Sequence, residues 1–78
     1  LVIVIEDELG AIGQALLTIN AAEKNNLNVL CIVLNQISKN NLSNSEAICA
    51  YTKTPVLSFS LERTKEFCLE FAKLVKDS

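Results

Sequence analysis

The sequence predicts an α/β fold in which helices flank a parallel sheet, and three observations lead to this prediction. Residues 1–5 form an unbroken apolar run rich in β-branched side chains, which is typical of a strand buried on both faces. An apolar stripe at helical spacing follows a short polar turn, and residues 27–34 form a second apolar run. A strand, a helix and a strand this close together predict a right-handed βαβ unit with parallel strands.

The first helix is predicted to begin at about residues 9 and 10, after the acidic turn Glu6-Asp7-Glu8. This order of elements directs the helix N–H groups toward the carboxyl end of the sheet, where open α/β sheets bind ligands and where an anion is favoured. The turn is therefore the first candidate site. The apolar stripe of the helix consists of Ile12, Ala15, Leu16, Ile19 and Ala22.

Two helices and a third strand are predicted for the rest of the chain. Residues 35–41 have the composition of a loop, and a capping-box pattern that begins at Ser43 predicts a short helix from about 44 to 52. Pro55 ends that helix, and residues 56–59 then form a short strand.

The last helix is predicted to start at Ser60 or its neighbour and to be amphipathic. Phe67 and Phe71 lie one turn apart on its apolar stripe, so we expect both side chains to be mostly buried against the sheet.

Composition excludes some classes of partner and predicts a location. The net charge of −2, the pI of about 4.9 and the lack of a Lys/Arg cluster argue against a nucleic-acid partner. The apolar runs are too short to span a membrane, and no signal peptide is visible. Cys31, Cys49 and Cys68 lack metal-type spacing, so we expect free thiols in a reducing cytoplasm, with Cys31 and Cys68 buried.

The length predicts that residues 1–78 are the C-terminal portion of a single, longer α/β domain. The chain contains no Met and opens inside a predicted strand. A domain of this size buries a limited core, whereas the apolar content of 50% is high for so short a chain.

The first 36 residues resemble the C-terminal half of dethiobiotin synthetases. Members of that family show an apolar strand, then L-G-x-I-x-x-x-L-L-T on a helix, then a second strand that ends in Asn. The corresponding segments here are residues 2–5, Leu9-Gly10-Ala11-Ile12, Leu16-Leu17-Thr18 and residues 29–35. The resemblance is weaker at the strand around residues 55–57.

The resemblance implies the C-terminal part of a P-loop NTPase-like parallel sheet flanked by helices, in a cytoplasmic homodimer. It also implies that the whole enzyme joins CO₂ to 7,8-diaminopelargonate and closes the ring of dethiobiotin, using ATP and Mg²⁺. The motif G-x-x-x-x-G-K-[ST] is absent from these residues, so the phosphate loop, the metal ligands and the catalytic residues are expected upstream.

By the same resemblance, backbone amides of the turn formed by Glu8, Leu9, Gly10, Ala11 and Gly13 bind the carboxylate of the diamino acid across the dimer. Glycine lets a ligand approach the backbone closely, although close packing of helix on sheet would also explain the two glycines. The chain departs from the family pattern here, because many members have Asn-His in place of Gly13-Gln14. The acidic residues before the turn would also repel a substrate carboxylate.

The resemblance assigns Asn35 and Gln36, at the end of the second strand, to the nucleotide base. A carboxamide offers the donor and the acceptor that an adenine edge requires, but Asn is also a common turn residue. The loop after the third strand, with Ser60 and Leu61, is assigned to the base as well, and an ordinary strand end with a helix cap explains it equally well.

Two alternatives remain open at the level of sequence. A related P-loop amidotransferase or synthetase would share the strand–helix unit and act on another acid. A receiver-like signalling module would use Glu6-Asp7 to bind Mg²⁺, but it needs an acceptor Asp where the later strands end in Asn35 and in Phe59-Ser60.

Overall fold

The computed structural model describes residues 1–36 and 43–77, so residues 37–41 of the predicted loop lie outside the described part of the chain. Within these ranges three strands alternate with helices, as the sequence predicts. The elements are β1 (Val2–Glu6), α1 (Ala11–Lys24), β2 (Cys31–Asn35), α2 (Asn44–Tyr51), β3 (Val56–Phe59), a 3₁₀ turn (Leu61–Arg63) and α3 (Thr64–Asp77).

The described strands form one parallel sheet in the order β1-β2-β3, which confirms the predicted α/β class. In the register, Ile3 lies opposite Ile32 and Ile5 lies opposite Leu34, while Ile32 is also paired with Val56. Because side chains alternate between the faces of a strand, these five residues point to the same face of the sheet.

The hydrophobic core lies on that face. Helix α1 contributes Ala11, Ala15 and Ile19 to it, and α2 contributes Ile48, which is fully buried. Alanine at two successive turns lets the backbone of α1 approach the sheet closely. The predicted apolar stripe of α1 is confirmed at Ala15, Ile19 and Ala22, which are buried. Its other two members, Ile12 and Leu16, are half-buried.

The prediction that β1 is buried on both faces is wrong. Ile3 and Ile5 are buried, whereas the side chain of Val4, on the opposite face, is 65% exposed. The reason is that α1 and α2 both contribute to the core that covers the Ile3 face.

Within the described ranges, none of the helices combines the length and the apolar character needed to span a bilayer.

The second strand is shorter than predicted because its apolar start belongs to the end of α1. Asn26 has a φ of 56°, its amide donates to the carbonyl of Glu23 at 3.1 Å, and the amide of Leu27 donates to Ala22 at 2.9 Å. This pair of hydrogen bonds is the Schellman motif that closes helices. Leu27 is consequently exposed, and regular pairing starts only at Cys31.

The expectation that the aromatic residues of α3 are mostly buried is also wrong, since Phe67 and Phe71 are half-buried. The ring of Phe67 meets Phe59 of β3 edge-on, with centroids 5.1 Å apart, and stacks on Phe71 at 5.8 Å. Among the described strands, α3 packs mainly against β3, and its apolar stripe is only partly buried there. Cys68 on this stripe is exposed for the same reason.

All three cysteines are free thiols, as predicted, but only Cys31 is buried. Burial raises the pKa of the Cys31 thiol, so it remains neutral and behaves as a small apolar side chain.

Replacement of Phe71 by alanine is expected to lower the free energy of unfolding by about 1–2 kcal/mol, well under the 3–5 kcal/mol typical of a fully buried Phe. The half-buried ring loses one stacking partner and part of its buried area. A urea melt measures the change, with Leu69→Ala, at a 66% exposed position of the same helix, as the control. A loss of about 4 kcal/mol would show that segments outside the described residues bury Phe71.

Candidate functional site

The carboxyl ends of the three described strands meet in one row at the edge of the sheet. The register places Asn35 between Glu6 of β1 and Phe59 of β3. Backbone hydrogen bonds extend the pairing past the strands, from the amide of Asp7 to Asn35 at 2.9 Å and from Gln36 to Phe59 at 2.7 Å. The segments predicted to bind substrate and nucleotide therefore lie along the same edge.

The turn between β1 and α1 contains one residue in the left-handed region, Gly10, with a φ of +93°. Its carbonyl accepts from Gln14 at 3.2 Å, which begins the helix. A Cβ added at Gly10 or at Gly13 would have no heavy atom within 4 Å. Close packing within the described structure therefore does not explain either glycine, whereas backbone conformation does explain Gly10.

The residues of this turn are mostly exposed. Leu9 is 85% exposed, and Glu8 and Gly13 are exposed as well. Within the described part of the chain, the amides of Ile12 and Gly13 donate to no backbone carbonyl, as expected for the first turn of a helix. Ala11 differs from its neighbours, because its side chain is fully buried and its amide donates to Glu8 at 3.1 Å.

The residues predicted to bind nucleotide lie beside the other two strands. Asn35 and Gln36 are half-buried, and neither side-chain amide makes a hydrogen bond to a described residue. Ser60 is half-buried and its carbonyl accepts from the amide of Arg63 at 3.0 Å, while Leu61 is 87% exposed. The structure thus brings Asn35, Gln36 and Ser60 together and leaves Leu61 at the rim.

A residue that sequence analysis missed, Asn44, connects α2 to the acidic turn. Its Nδ2 donates to Oδ1 of Asp7 at 2.7 Å and to the carbonyl of Glu8 at 3.0 Å, and the residue is only 6% exposed. The predicted capping box is wrong in its bonding, because Ser43 is the N-cap residue but forms no side-chain cap hydrogen bond. An Asn inside a predicted first helical turn was the available signal, since Asn favours local or long-range polar contacts over helix interiors.

The acidic turn does not form a metal site by itself. Glu6 and Glu8 are exposed, whereas Asp7 is half-buried and bound by Asn44. Among the described residues, no group of three or more His, Cys, Asp or Glu side chains is arranged to hold a metal ion.

Comparison with known families identifies the fold to which this edge belongs. The family described as "AAA domain" matches residues 1–65. The chain belongs to the AAA domain family. Members have a P-loop NTPase-like α/β fold, which agrees with the parallel sheet and its flanking helices. This membership gives no support to the receiver-like alternative.

Individual relatives confirm the resemblance to dethiobiotin synthetases. The chain is 45% identical over 74 residues to the ATP-dependent dethiobiotin synthetase BioD of Vesicomyosocius okutanii, and 40% identical over 74 residues to that of Ruthia magnifica. Each alignment covers 95% of this chain but only 34% and 35% of the respective relative, so the chain spans about a third of their length. No solved structure gives a significant match.

Proposed function

We propose that this chain is the C-terminal portion of a single α/β domain in an ATP-dependent dethiobiotin synthetase. The observation on which the proposal rests is the 45% identity to a dethiobiotin synthetase over 95% of the chain. The reaction would join CO₂ to an amine of 7,8-diaminopelargonate, activate the carbamate with the γ-phosphoryl group of ATP, and close the ring through the second amine.

In this proposal the nucleotide base binds at the ends of β2 and β3. The carboxamides of Asn35 and Gln36 lie at the carboxyl edge, have no described hydrogen-bond partner, and offer the paired donor and acceptor that an adenine edge requires. Ser60 and Leu61 would border the base from β3. This arrangement fits a purine and places no charged side chain from these four residues against it.

The diamino acid would bind at the turn from Glu8 to Gly13. Support comes from the exposure of the residues of this turn, from the first-turn amides of Ile12 and Gly13, which donate to no described backbone carbonyl, and from the helix dipole, which favours an anion at the start of α1. The contact between Asn44 and Asp7 reduces the expected repulsion, because it holds one of the three turn carboxylates toward α2.

The remaining parts of the site belong to the proposal as well. The sequence printed here contains no phosphate loop, and the relatives are about three times as long as the matched segment. We therefore assign the phosphate loop, the Mg²⁺ ligands and the catalytic residues to the part of the protein outside these 78 residues. A cytoplasmic homodimer, in which the turn from Glu8 to Gly13 completes the partner's site, is the assembly we propose.

The test is an assay of the protein that contains this chain, supplied with 7,8-diaminopelargonate, ¹³C-bicarbonate, ATP and Mg²⁺. The expected result is dethiobiotin labelled in its ureido carbonyl, with one ADP formed per product molecule, as detected by mass spectrometry. Reactions without the diamine or without ATP are the controls. ATP turnover that requires glutamine or another acid, with no labelled dethiobiotin, would favour the amidotransferase alternative instead.

A further inference from the structure

Among the described residues Asn44 is the buried polar one, and its side-chain nitrogen makes two hydrogen bonds to a single turn. The two acceptors, Oδ1 of Asp7 and the carbonyl of Glu8, belong to consecutive residues. Because both are acceptors, the amide nitrogen of Asn44 must face them and give one hydrogen to each. A single side chain from α2 therefore fixes a side chain and the backbone of the same turn.

The two hydrogen bonds from Asn44 hold the segment that connects β1 to the start of α1. The Glu8 carbonyl also accepts from the amide of Ala11, the first residue of α1, at 3.1 Å. Gly10, with its left-handed backbone, lies between these two residues. Loss of the Asn44 contact would free the Glu8 carbonyl on one side and leave a half-buried Asp7 carboxylate without this donor.

We propose that Asn44 is a positioning residue that holds the turn between β1 and α1 in the shape that receives the diamino acid, an inference that rests on the proposed function. Asn44 need not touch the substrate, because it acts through Glu8 and Asp7. It belongs to α2, which joins the nucleotide end of β2 to β3, so the substrate turn is tied to the nucleotide half of the sheet.

The variants that test this role are Asn44→Ala and Asn44→Asp in the whole protein. Asn44→Asp keeps the size of the side chain but removes its donors and adds a carboxylate beside Asp7, so it should disturb the turn more than Asn44→Ala. The control is Ile48→Val, one turn further along α2, because it removes one methyl group from the core and no hydrogen bond to the turn.

The first readout is hydrogen–deuterium exchange of peptides that cover residues 6–14, which does not depend on enzyme activity. We expect Asn44→Ala to speed exchange there by about fivefold or more, and Ile48→Val to change it less than about twofold. Equal exchange in Asn44→Ala and wild type would overturn the proposal. If Asn44→Asp fails to fold, Asn44→Ala decides the outcome.

The second readout is steady-state kinetics. We expect Asn44→Ala to raise the KM for 7,8-diaminopelargonate by about ten- to a hundredfold and to leave the KM for ATP within about twofold. An active enzyme in which both KM values rise together, or neither does, would overturn the positioning role alone. A wild-type protein without dethiobiotin synthetase activity would overturn the proposed function, and hydrogen exchange would then still decide whether Asn44 holds the turn.

Discussion

Replacement of Asn35 by alanine is expected to weaken ATP binding by about five- to a hundredfold, which corresponds to about 1–3 kcal/mol. The expectation follows from the position of the side chain at the end of β2, where it is half-buried and hydrogen-bonded to no described residue. Alanine would leave the polar edge of the base without its partner. Binding of the diamino acid should change little, because the turn that would receive it belongs to β1 and α1.

The fold should survive this substitution, because the structural hydrogen bond at this position uses the backbone. The carbonyl of Asn35 accepts from the amide of Asp7 at 2.9 Å, and alanine retains that carbonyl. Isothermal calorimetry with a nonhydrolysable ATP analogue measures the affinity. The matched control is Asn28→Ala, the same chemical change at an exposed position before the amino end of β2. Equal affinities in the two variants would leave Asn35 as a strand-end turn residue.

The topology of the sheet could be predicted from the sequence because it depends on local patterns. Two apolar runs separated by one helical stripe predict a βαβ unit with parallel strands, and β1 and β2 do pair in parallel. Pro55 likewise marks the start of β3, since the residue before a proline favours an extended backbone.

Burial was harder to predict, because periodicity shows which face of an element is apolar but does not show what covers it. Val4 and Phe71 have the residue types of a core, yet the described elements leave Val4 exposed and Phe71 half-buried. Leu27 was misplaced for another reason. A hydrophobic residue directly after a Schellman motif resembles the first residue of a strand, and the two are distinguished only by the backbone of Asn26.

The sequence predicted where the strand ends of the candidate site lie, but it did not predict the long-range contact that holds the acidic turn. Strand ends can be counted along the sequence, so the shared edge of Asn35, Gln36 and Ser60 follows from the order of the elements. The bond between Asn44 and Asp7 joins residues 37 positions apart, and no local pattern encodes such a pairing. The sequence showed the three carboxylates of the turn, but it could not show that one of them has a partner in α2.

Replacement of Gly10 by valine is expected to damage the substrate turn while leaving the nucleotide end intact. A β-branched residue at a φ of +93° is strained by about 1–2 kcal/mol or more, although a Cβ at this position has open space around it. The backbone can relieve that strain only by moving residues 8–13. We therefore expect the KM for 7,8-diaminopelargonate to rise by about tenfold or more and the KM for ATP to stay within about twofold.

The two glycines provide a matched pair, because both have open space for a Cβ and only Gly10 has a left-handed backbone. Gly10→Ala should lower the free energy of unfolding by about 1–2 kcal/mol because of its left-handed backbone. Gly13→Ala adds the same methyl group to open space inside α1 and should raise it by about 0.5–1 kcal/mol. Parallel urea melts measure the free energy of unfolding of both variants. An equal change in the two variants would contradict the left-handed conformation of Gly10.

Sedimentation velocity of the wild type and of Gly10→Val tests the proposed dimer separately from the conformation of the turn. In a twofold dimer each turn would complete the site of the other subunit, so the substrate KM should depend on assembly. We expect a dimeric wild type, and a Gly10→Val protein that still assembles but binds the diamine poorly. A monomer with full activity would contradict the shared site. A dimer in which Gly10→Val has a normal substrate KM would instead show that the diamino acid does not bind at this turn.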